Sequence, residues 1–171
     1  MGGPAGRAEF ESLKTEAARL RTENERLEQQ ARQLVKEIQE LKGRGAQAQA
    51  REISDRLLSE KTVENGVANL MSRVDGLEGH QPLRMLSDSI RQKEKVSVIF
   101  LSDAQGNCVV SCSEDAQKSG IGADALLRMA AEVAGGSGGG RPGMAQGRLK
   151  DPARFHEVRD RLRRYIRDLS P

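Results

Sequence analysis

The chain has 171 residues, of which 31% are charged and only 2% aromatic, with no Trp, one Tyr and three Phe. So few large apolar side chains exclude a single globule over the whole length, and we expect one ordinary domain with an extended appendage. The net charge is only +3, but residues 135–171 hold nine Lys or Arg against four Asp or Glu, which indicates an anionic partner for the C-terminal region or, alternatively, a solvated basic helix.

Residues 8–42 carry a heptad repeat five units long. Leu recurs at every seventh residue, and a second, mostly apolar position lies three residues before each one, which is the a/d pattern of a coiled coil. The d positions are Leu13, Leu20, Leu27, Leu34 and Leu41, and the a positions are Phe10, Ala17, Asn24, Ala31 and Ile38. We take the five leucines and Asn24 as candidate dimerisation residues.

Two pairings of this arm remain open. In a parallel pair of arms, three of the five contacts between g and e positions join Glu to Lys or Arg, and Asn24 is the kind of a-position residue that fixes register. In the alternative, Gly43 and Gly45 break the helix, and residues 46–61 fold back on the arm as a shorter second helix. The side chains that would face the arm are Ile53, Leu57 and Leu58. The two arrangements can coexist.

The fold class that we predict is α+β, with a long helix or coiled-coil arm over residues 1–61 and a small α/β sandwich domain over residues 62–171. The order expected in the domain is β-α-β-β-α-loop-α. The predicted elements are a strand from Val63 to the Asp75-Gly76 turn, a helix from Pro82, strands at 96–101 and 107–112, a helix over 123–134 and a last helix announced by Asp151-Pro152.

The two cysteines point to a buried, reducing environment. Cys108 and Cys112 alternate onto one face of a predicted strand, too far apart to bond to each other. His80 and His156 lie far off in sequence with no ligand spacing around them, so we expect structural thiols, no metal site and no cofactor. No apolar stretch approaches the roughly 18 residues of a membrane span, and the N-terminus lacks a signal-peptide core. We expect a cytoplasmic protein with no membrane partner.

Residues 135–148 are predicted to form a glycine-rich loop. A backbone without side chains lets successive N–H groups approach a phosphate closely, and the neighbouring Arg141, Arg148 and Lys150 would neutralise its charge. A flexible linker is the alternative. The stretch follows a predicted helix instead of a strand, which excludes a dinucleotide G-x-G-x-x-G motif, and the sequence has no G-x-x-x-x-G-K-[ST] loop.

The glycine-rich stretch resembles a known family signature. Gly138-Gly139-Gly140-Arg141-Pro142 with Met144-Ala145-Gln146 is similar to the signature of the DHH-associated domain at the end of alanyl-tRNA synthetases. The resemblance covers roughly residues 50–171, and further strings that agree with it are Asn65-Gly66-Val67, Val74-Asp75-Gly76-Leu77, Leu83-Arg84, Ser111 and Lys118-Ser119-Gly120-Ile121.

The resemblance implies an accessory part of alanine–tRNA ligase that binds the elbow of alanine tRNA and can contribute to a homodimer. It implies no catalytic or editing residue in this chain. Recognition of an RNA elbow would rest on shape and phosphate contacts more than on base sequence. The residues implied as nucleic-acid contacts are Gly138, Gly139, Gly140, Arg141, Gln146, Arg148 and Lys150.

Two other functions stay open. DHH phosphoesterases carry a related C-terminal domain, so the chain could be the nucleic-acid clamp of such an enzyme, although that family tends to have His where this sequence has Arg141. A coiled-coil dimerisation protein is the second alternative, and the basic residues beside the glycines argue against it. The sequence shows no pattern typical of paired catalytic carboxylates, of a nucleophile with its base or of a metal cluster. We therefore predict that the chain by itself is not an enzyme.

Overall fold

The computed structural model describes residues 3–169 and, except for Ala46, their side chains. The elements in chain order are α1 (Pro4–Leu58), β1 (Thr62–Glu64), β2 (Val67–Val74), α2 (His80–Lys93), β3 (Val98–Asp103), β4 (Asn107–Cys112), α3 (Glu114–Lys118), α4 (Ala123–Ala134), β5 (Gly136–Arg141), β6 (Met144–Leu149) and α5 (Phe155–Asp168). The predicted α+β class, a long helix followed by a sheet with helices, is confirmed. The chain divides into two compact units between Gly45 and Ala46.

The first unit is formed by α1, a helix that runs without interruption from Pro4 to Leu58 and so continues past Gly45. The predicted helix break at Gly43 and Gly45 is therefore wrong, and so is the intramolecular hairpin that depended on it. A glycine inside a helix costs only about 1 kcal/mol relative to Ala, and the alanines and glutamines that follow Gly45 favour the helix. The five leucines of the heptad seam keep 54–66% of their surface exposed. None of the helices within residues 3–169 contains an apolar stretch that could span a bilayer.

The second unit is built on a mixed six-stranded sheet with the order β1-β2-β3-β4-β6-β5. β2 and β3 run parallel, with α2 in the crossover between them, and the other neighbouring strands are antiparallel. β3 is buried along its whole length, as is typical of a strand that is covered on both faces. β5 forms one edge of the sheet, which leaves one side of its backbone without a neighbouring strand.

Helices cover both faces of the sheet and create two apolar cores. α4 and α5 pack on one face, while α2 and the last turns of α1 pack on the other, where Ile99 is fully buried. Ile53 and Leu57, which we expected to face the arm, lie in this second core. The compact unit consequently begins at Ala46, whereas the domain boundary predicted from sequence lies between residues 61 and 62.

Three features of the domain were not predicted. The expected first strand is two strands, β1 and β2, joined at Asn65 and Gly66, which both have positive φ values of 49° and 76°. The short helix α3 follows Ser113, whose side chain accepts a hydrogen bond from Ala116 N. The strands β5 and β6 occupy the expected loop. The central hairpin, α4 and the Asp151 N-cap before the last helix are confirmed.

Both cysteines are buried in β4 as free thiols. Burial raises the pKa of Cys108 and of Cys112 to about 12, so both thiols are protonated and unreactive at neutral pH. Within residues 3–169, no group of three or more His, Cys, Asp or Glu side chains comes together as a metal site.

A buried carboxylate at the end of β3 joins three segments of the domain. Asp103 Oδ1 accepts hydrogen bonds from Gln105 N and Asn107 N, both at 2.9 Å. Its Oδ2 accepts from Gly79 N at 2.8 Å and from Asn107 Nδ2 at 2.7 Å. Burial alone would raise the pKa of Asp103, but these hydrogen bonds outweigh it and lower the pKa below its ordinary value. Because Gly79 directly precedes α2, the carboxylate fixes the start of that helix against the β3–β4 turn.

We expect Asp103→Asn to lower the free energy of unfolding by about 2–3 kcal/mol at neutral pH, because an amide N–H₂ replaces one carboxylate oxygen and the two donors to that oxygen lose their acceptor. The stabilisation that comes from a lowered carboxyl pKa is present above about pH 4 and is lost as the pH falls through the folded-state pKa. The difference between wild type and variant should therefore shrink in acid. Urea unfolding at a series of pH values measures it, and a difference that stays constant with pH would contradict this account.

Candidate nucleic-acid interface

The glycine-rich stretch is a β-hairpin, so the prediction of a loop over residues 135–148 is wrong. β5 pairs antiparallel with β6, and Pro142 and Gly143 form the two-residue turn between them. β6 pairs on its other side with β4, which makes the hairpin a continuation of the central sheet. The flexible-linker alternative is excluded for the same reason. All six residues of β5 are exposed.

Close packing accounts for most of the glycines in the hairpin. A Cβ at Gly138 would lie 2.6 Å from Gly147 Cα and 2.7 Å from Leu127 Cδ2 of α4. A Cβ at Gly147 would lie 2.8 Å from Gly138 Cα, and one at Gly140 would overlap the backbone of Ala145. Since real Cβ atoms essentially never make contacts under 3.0 Å, the two strands and α4 approach each other to a distance that only glycine allows.

Gly139 differs from its neighbours in β5. A Cβ added at this residue would meet nothing within 4 Å. No contact within the described chain therefore requires glycine at this position. Gly139 lies opposite Gln146 in the strand pairing. The absence of a side chain here exposes the backbone directly to an approaching molecule.

Alternation along β6 places the polar side chains of the hairpin on one face of the sheet. The buried positions of β6 are Ala145, Gly147 and Leu149. These positions face α4 and α5. Gln146 and Arg148 are exposed on the opposite face, which α2 covers farther along the sheet. Arg141 pairs with Met144 and has the same orientation by register, so Arg141 and Arg148 are on one face of the hairpin.

The predicted RNA-contacting residues therefore divide between the two faces. Those on the exposed face are Gly139, Arg141, Gln146 and Arg148. Gly138 and Gly140 belong to the face that packs against α4, where they allow close approach of the backbone. Lys150 follows the end of β6 and is exposed.

The arginines of the hairpin lack the acidic partners that Arg154, Arg159 and Arg167, in and beside α5, have. Within residues 3–169, neither Arg141 nor Arg148 forms an ion pair with an acidic side chain. Arg148 Nε donates a long hydrogen bond of 3.4 Å to Gln105 O. By contrast, the guanidinium of Arg154, directly before α5, lies 2.5 Å from the carboxylate of Glu157. The hairpin consequently keeps its positive charge available for an external anion.

The expected phosphate cradle of successive N–H groups is not formed by β5. Successive N–H groups of an extended strand point in opposite directions. The free edge of β5 therefore presents every second N–H, at intervals of about 7 Å. Contact between this backbone and an anion would run along a line, whereas a cradle would surround one phosphate.

Hydrogen bonds at both ends hold the hairpin in place. At the turn, Ala123 N donates to Pro142 O at 2.7 Å, which ties the hairpin to the first residue of α4. At the other end, Leu149 N donates to Gly106 O at 2.8 Å, in the turn that Asp103 organises. The positions of the exposed side chains are thereby fixed by the sheet and by the adjoining turns.

Two residues of α2 that were not predicted as part of the site lie beside the hairpin. His80 Nε2 is 2.8 Å from Gly147 O, so its ring N–H donates to the backbone of β6. Arg84 lines a groove of about 400 Å³ together with Gly139 and Arg141. The sequence pattern predicted α2, but the proximity of Arg84 to the glycines depends on β5 and β6 being strands of the same sheet.

Comparison with known families is consistent with this geometry. The family model described as the DHHA1 domain matches residues 66–168, from the β1–β2 turn to the end of α5. This chain belongs to the DHHA1 domain family. The match confirms the resemblance to a DHH-associated domain. The DHHA1 domain contains the complete β5–β6 hairpin and α2, whereas the arm precedes it.

The curated relatives of the chain are alanine–tRNA ligases. The ligase of Geobacillus kaustophilus (strain HTA426) is 31% identical over 163 residues, which cover 94% of this chain and 18% of that protein. The ligase of Latilactobacillus sakei subsp. sakei (strain 23K) is 37% identical over 121 residues, or 69% of this chain and 13% of that protein. The chain thus spans less than a fifth of the length of these relatives.

Solved structures share the fold of the DHHA1 domain. The C-Ala domain from Aquifex aeolicus alanyl-tRNA synthetase superposes with a TM-score of 0.56 and 27% identity, covering 63% of this chain and 97% of that chain. RecJ from Thermus thermophilus superposes with a TM-score of 0.50 at 20% identity, covering 70% of this chain and 18% of that chain. The likeness to RecJ is one of fold alone.

The packing of the hairpin predicts different effects on stability for substitutions at two adjacent glycines. We expect Gly138→Ala to lower the free energy of unfolding by about 1–3 kcal/mol, because the methyl group overpacks the contact with α4. We expect Gly139→Ala to change it by less than about 0.5 kcal/mol, because the methyl group enters open space. Urea unfolding of both variants tests this difference. Equal destabilisation by the two substitutions would show that the hairpin packs differently.

Proposed function

We propose that this chain binds the elbow of alanine tRNA through the β5–β6 hairpin, as an accessory part of an alanine–tRNA ligase. Membership of the DHHA1 domain family and the similarity to the C-Ala domain of an alanyl-tRNA synthetase support this role. Because the chain spans less than a fifth of the ligases that it matches, we propose binding and not catalysis as its own contribution. We place this role in the cytoplasm, where aminoacylation supplies translation.

The observation that carries the proposal is the exposed basic face of the hairpin. Three cross-strand pairs form this face, and the middle pair is Gly139 with Gln146. Arg141 lies at one end and Arg148 at the other, separated by about 13 Å along the strands. At this separation the two guanidinium groups would contact different phosphates. Contacts of this kind supply most of the sequence-independent affinity for nucleic acid, and Gln146 adds an amide that can hydrogen-bond to ribose or to a base edge.

Recognition of tRNA by such a face would depend on shape. The whole chain has one Tyr, three Phe and no Trp, so stacking of bases on aromatic rings contributes little. A folded RNA presents its phosphates in a three-dimensional pattern that a rigid set of positive charges can match. The chain alone should consequently discriminate poorly between different tRNAs, and selection of alanine tRNA would need the rest of the ligase.

Removal of the two hairpin arginines tests the proposal. We expect Arg141→Ala/Arg148→Ala to weaken the binding of alanine tRNA roughly 100-fold at low salt, as the loss of two charge-assisted contacts implies. The dependence of log Kd on log salt concentration should become shallower by about 1.5, because two fewer phosphates are neutralised. Fluorescence anisotropy titrations over a salt series, with a second tRNA and a DNA duplex in parallel, measure both quantities.

A matched control removes the same charge from α5 and the residue directly before it. Arg154→Ala/Arg159→Ala takes away two arginines that already lie beside acidic neighbours, and it should change the affinity for tRNA only slightly. Stronger binding of DNA than of tRNA would favour the clamp of a DHH phosphoesterase instead. Equal or absent binding to all three nucleic acids would refute the proposed tRNA site.

We also propose that the arm forms a parallel two-stranded coiled coil with a second copy of the chain. The heptad seam, Phe10 to Leu41, is a continuous helix whose leucines are more than half exposed. Burying each of them would contribute about 1 kcal/mol, and the attractive g-to-e pairs with Asn24 favour the parallel arrangement. The residues that would continue the seam are Gly45, Ala48 and Glu52, so it ends at Leu41.

Charge introduced into the seam tests the dimer. We expect Leu20→Lys/Leu27→Lys to be monomeric in sedimentation equilibrium, because four like charges would be buried in the paired seam. Thr22→Lys/Gln29→Lys places the same charges on another face of the same helix and should remain dimeric. A wild-type protein that is monomeric at high micromolar concentration would exclude this pairing.

A further inference from the structure

Two grooves, each of about 400 Å³, flank the edge strand β5 on opposite faces of the sheet. We call them the α4-side groove and the α2-side groove after the helix that borders each one. The α4-side groove is lined by residues that include Leu127, Arg128, Glu132, Ser137 and Gly138. The α2-side groove is lined by residues that include Arg84, Gly139, Gly140, Arg141, Met144 and Gln146. An RNA backbone that reaches β5 can enter either of them, and the two differ in charge.

The charged residues that line the two grooves make only one of them attractive to an anion. In the α4-side groove, Arg128 lies 3.2 Å from the carboxylate of Asp124, and Glu132 adds a negative charge. The lining of the α2-side groove contains Arg84 and Arg141 and no acidic residue. An anion is therefore attracted to the α2 side, and on the α4 side the carboxylates offset the one arginine.

The floor of the α2-side groove is open at Gly139. Gly138 and Gly140 have no room for a Cβ, because the backbone of β6 lies against them. At Gly139 a Cβ would meet nothing within 4 Å, so a side chain there would begin in open space and extend into the groove. Packing within the domain does not require glycine at position 139. A glycine on the floor of a basic groove allows a ligand to lie directly against the strand.

We propose that the RNA backbone docks in the α2-side groove, with Arg84 of α2 and Arg141 of β5 on neighbouring phosphates and the intervening ribose over Gly139. This inference rests on the proposed tRNA-binding function and adds to it a contact from outside the hairpin. Arg84 lies five residues after Gly79, whose N–H donates to the Asp103 carboxylate, so the start of its helix is fixed relative to the sheet. The α4-side groove stays empty in the complex.

Three variants, titrated with alanine tRNA over a salt series, test the choice of groove. We expect Arg84→Gln to weaken binding roughly tenfold and to make the salt dependence shallower by about one phosphate contact. We expect Gly139→Val to weaken it at least as much, since the side chain occupies the space of the ribose, while valine remains compatible with a strand. Arg128→Gln, the matched change in the α4-side groove, should leave the affinity within about twofold.

The possible outcomes distinguish a wrong choice of groove from a wrong proposal of tRNA binding. A loss of binding with Arg128→Gln, alone or equal to that with Arg84→Gln, would overturn the choice of the α2 side. Normal binding by both Arg84→Gln and Gly139→Val, while Arg141→Ala/Arg148→Ala still loses affinity, would also overturn it and would leave the tRNA-binding function intact. If the hairpin double variant binds as wild type does, the proposed function fails and this inference fails with it. Thermal unfolding of each variant checks whether the fold is retained.

Discussion

The carboxylate of Asp103 is the interaction on which the arrangement of the domain depends. Its four hydrogen bonds join the end of β3, the β3–β4 turn and the residue before α2. The same turn supplies Gly106 O, which accepts from Leu149 N and so aligns the end of β6. One buried charge, compensated by polar neighbours, thereby sets the relative positions of α2 and the hairpin. Every residue of the candidate interface lies on one of these two elements or directly after them.

The glycines of the hairpin serve two separate requirements. Gly138, Gly140 and Gly147 allow two strands and a helix to come closer than any side chain would permit. Gly139 has no such role and leaves the backbone accessible on the other face. A run of glycines therefore need not have a single explanation, and a substitution within it can affect either stability or binding. Which effect a substitution has depends on the face of the strand on which the glycine lies, because successive residues face opposite sides of the sheet.

Sequence patterns predicted the elements that apolar side chains define, such as the arm, the central hairpin and α4, and they failed where glycine defines the structure. The only side chain in β5 larger than Ser is Arg141, so this strand has no period-two alternation to detect, and its conformation follows from pairing with β6. At Gly43 the error was the opposite one, because a local preference of about 1 kcal/mol does not end a helix that is favourable on both sides. The chemical types of Arg141, Gln146 and Arg148 indicated an anion-binding site, whereas their common face with Arg84 depends on strand register, which these patterns do not contain.

An edge strand almost without side chains also differs from ordinary edge strands in how it can align a binding partner. A peptide strand that pairs with a sheet is normally held in one alignment by contacts with alternate side chains, and β5 has only one side chain larger than Ser to provide them. Gly-rich strands specify alignment weakly, so a shift by one repeat costs little. Such an edge is suited to a polymer whose backbone repeats identically from unit to unit. It would let that polymer slide along the strand, and the stopping point would be set by the arginines at the margins and by the polymer's own folded shape.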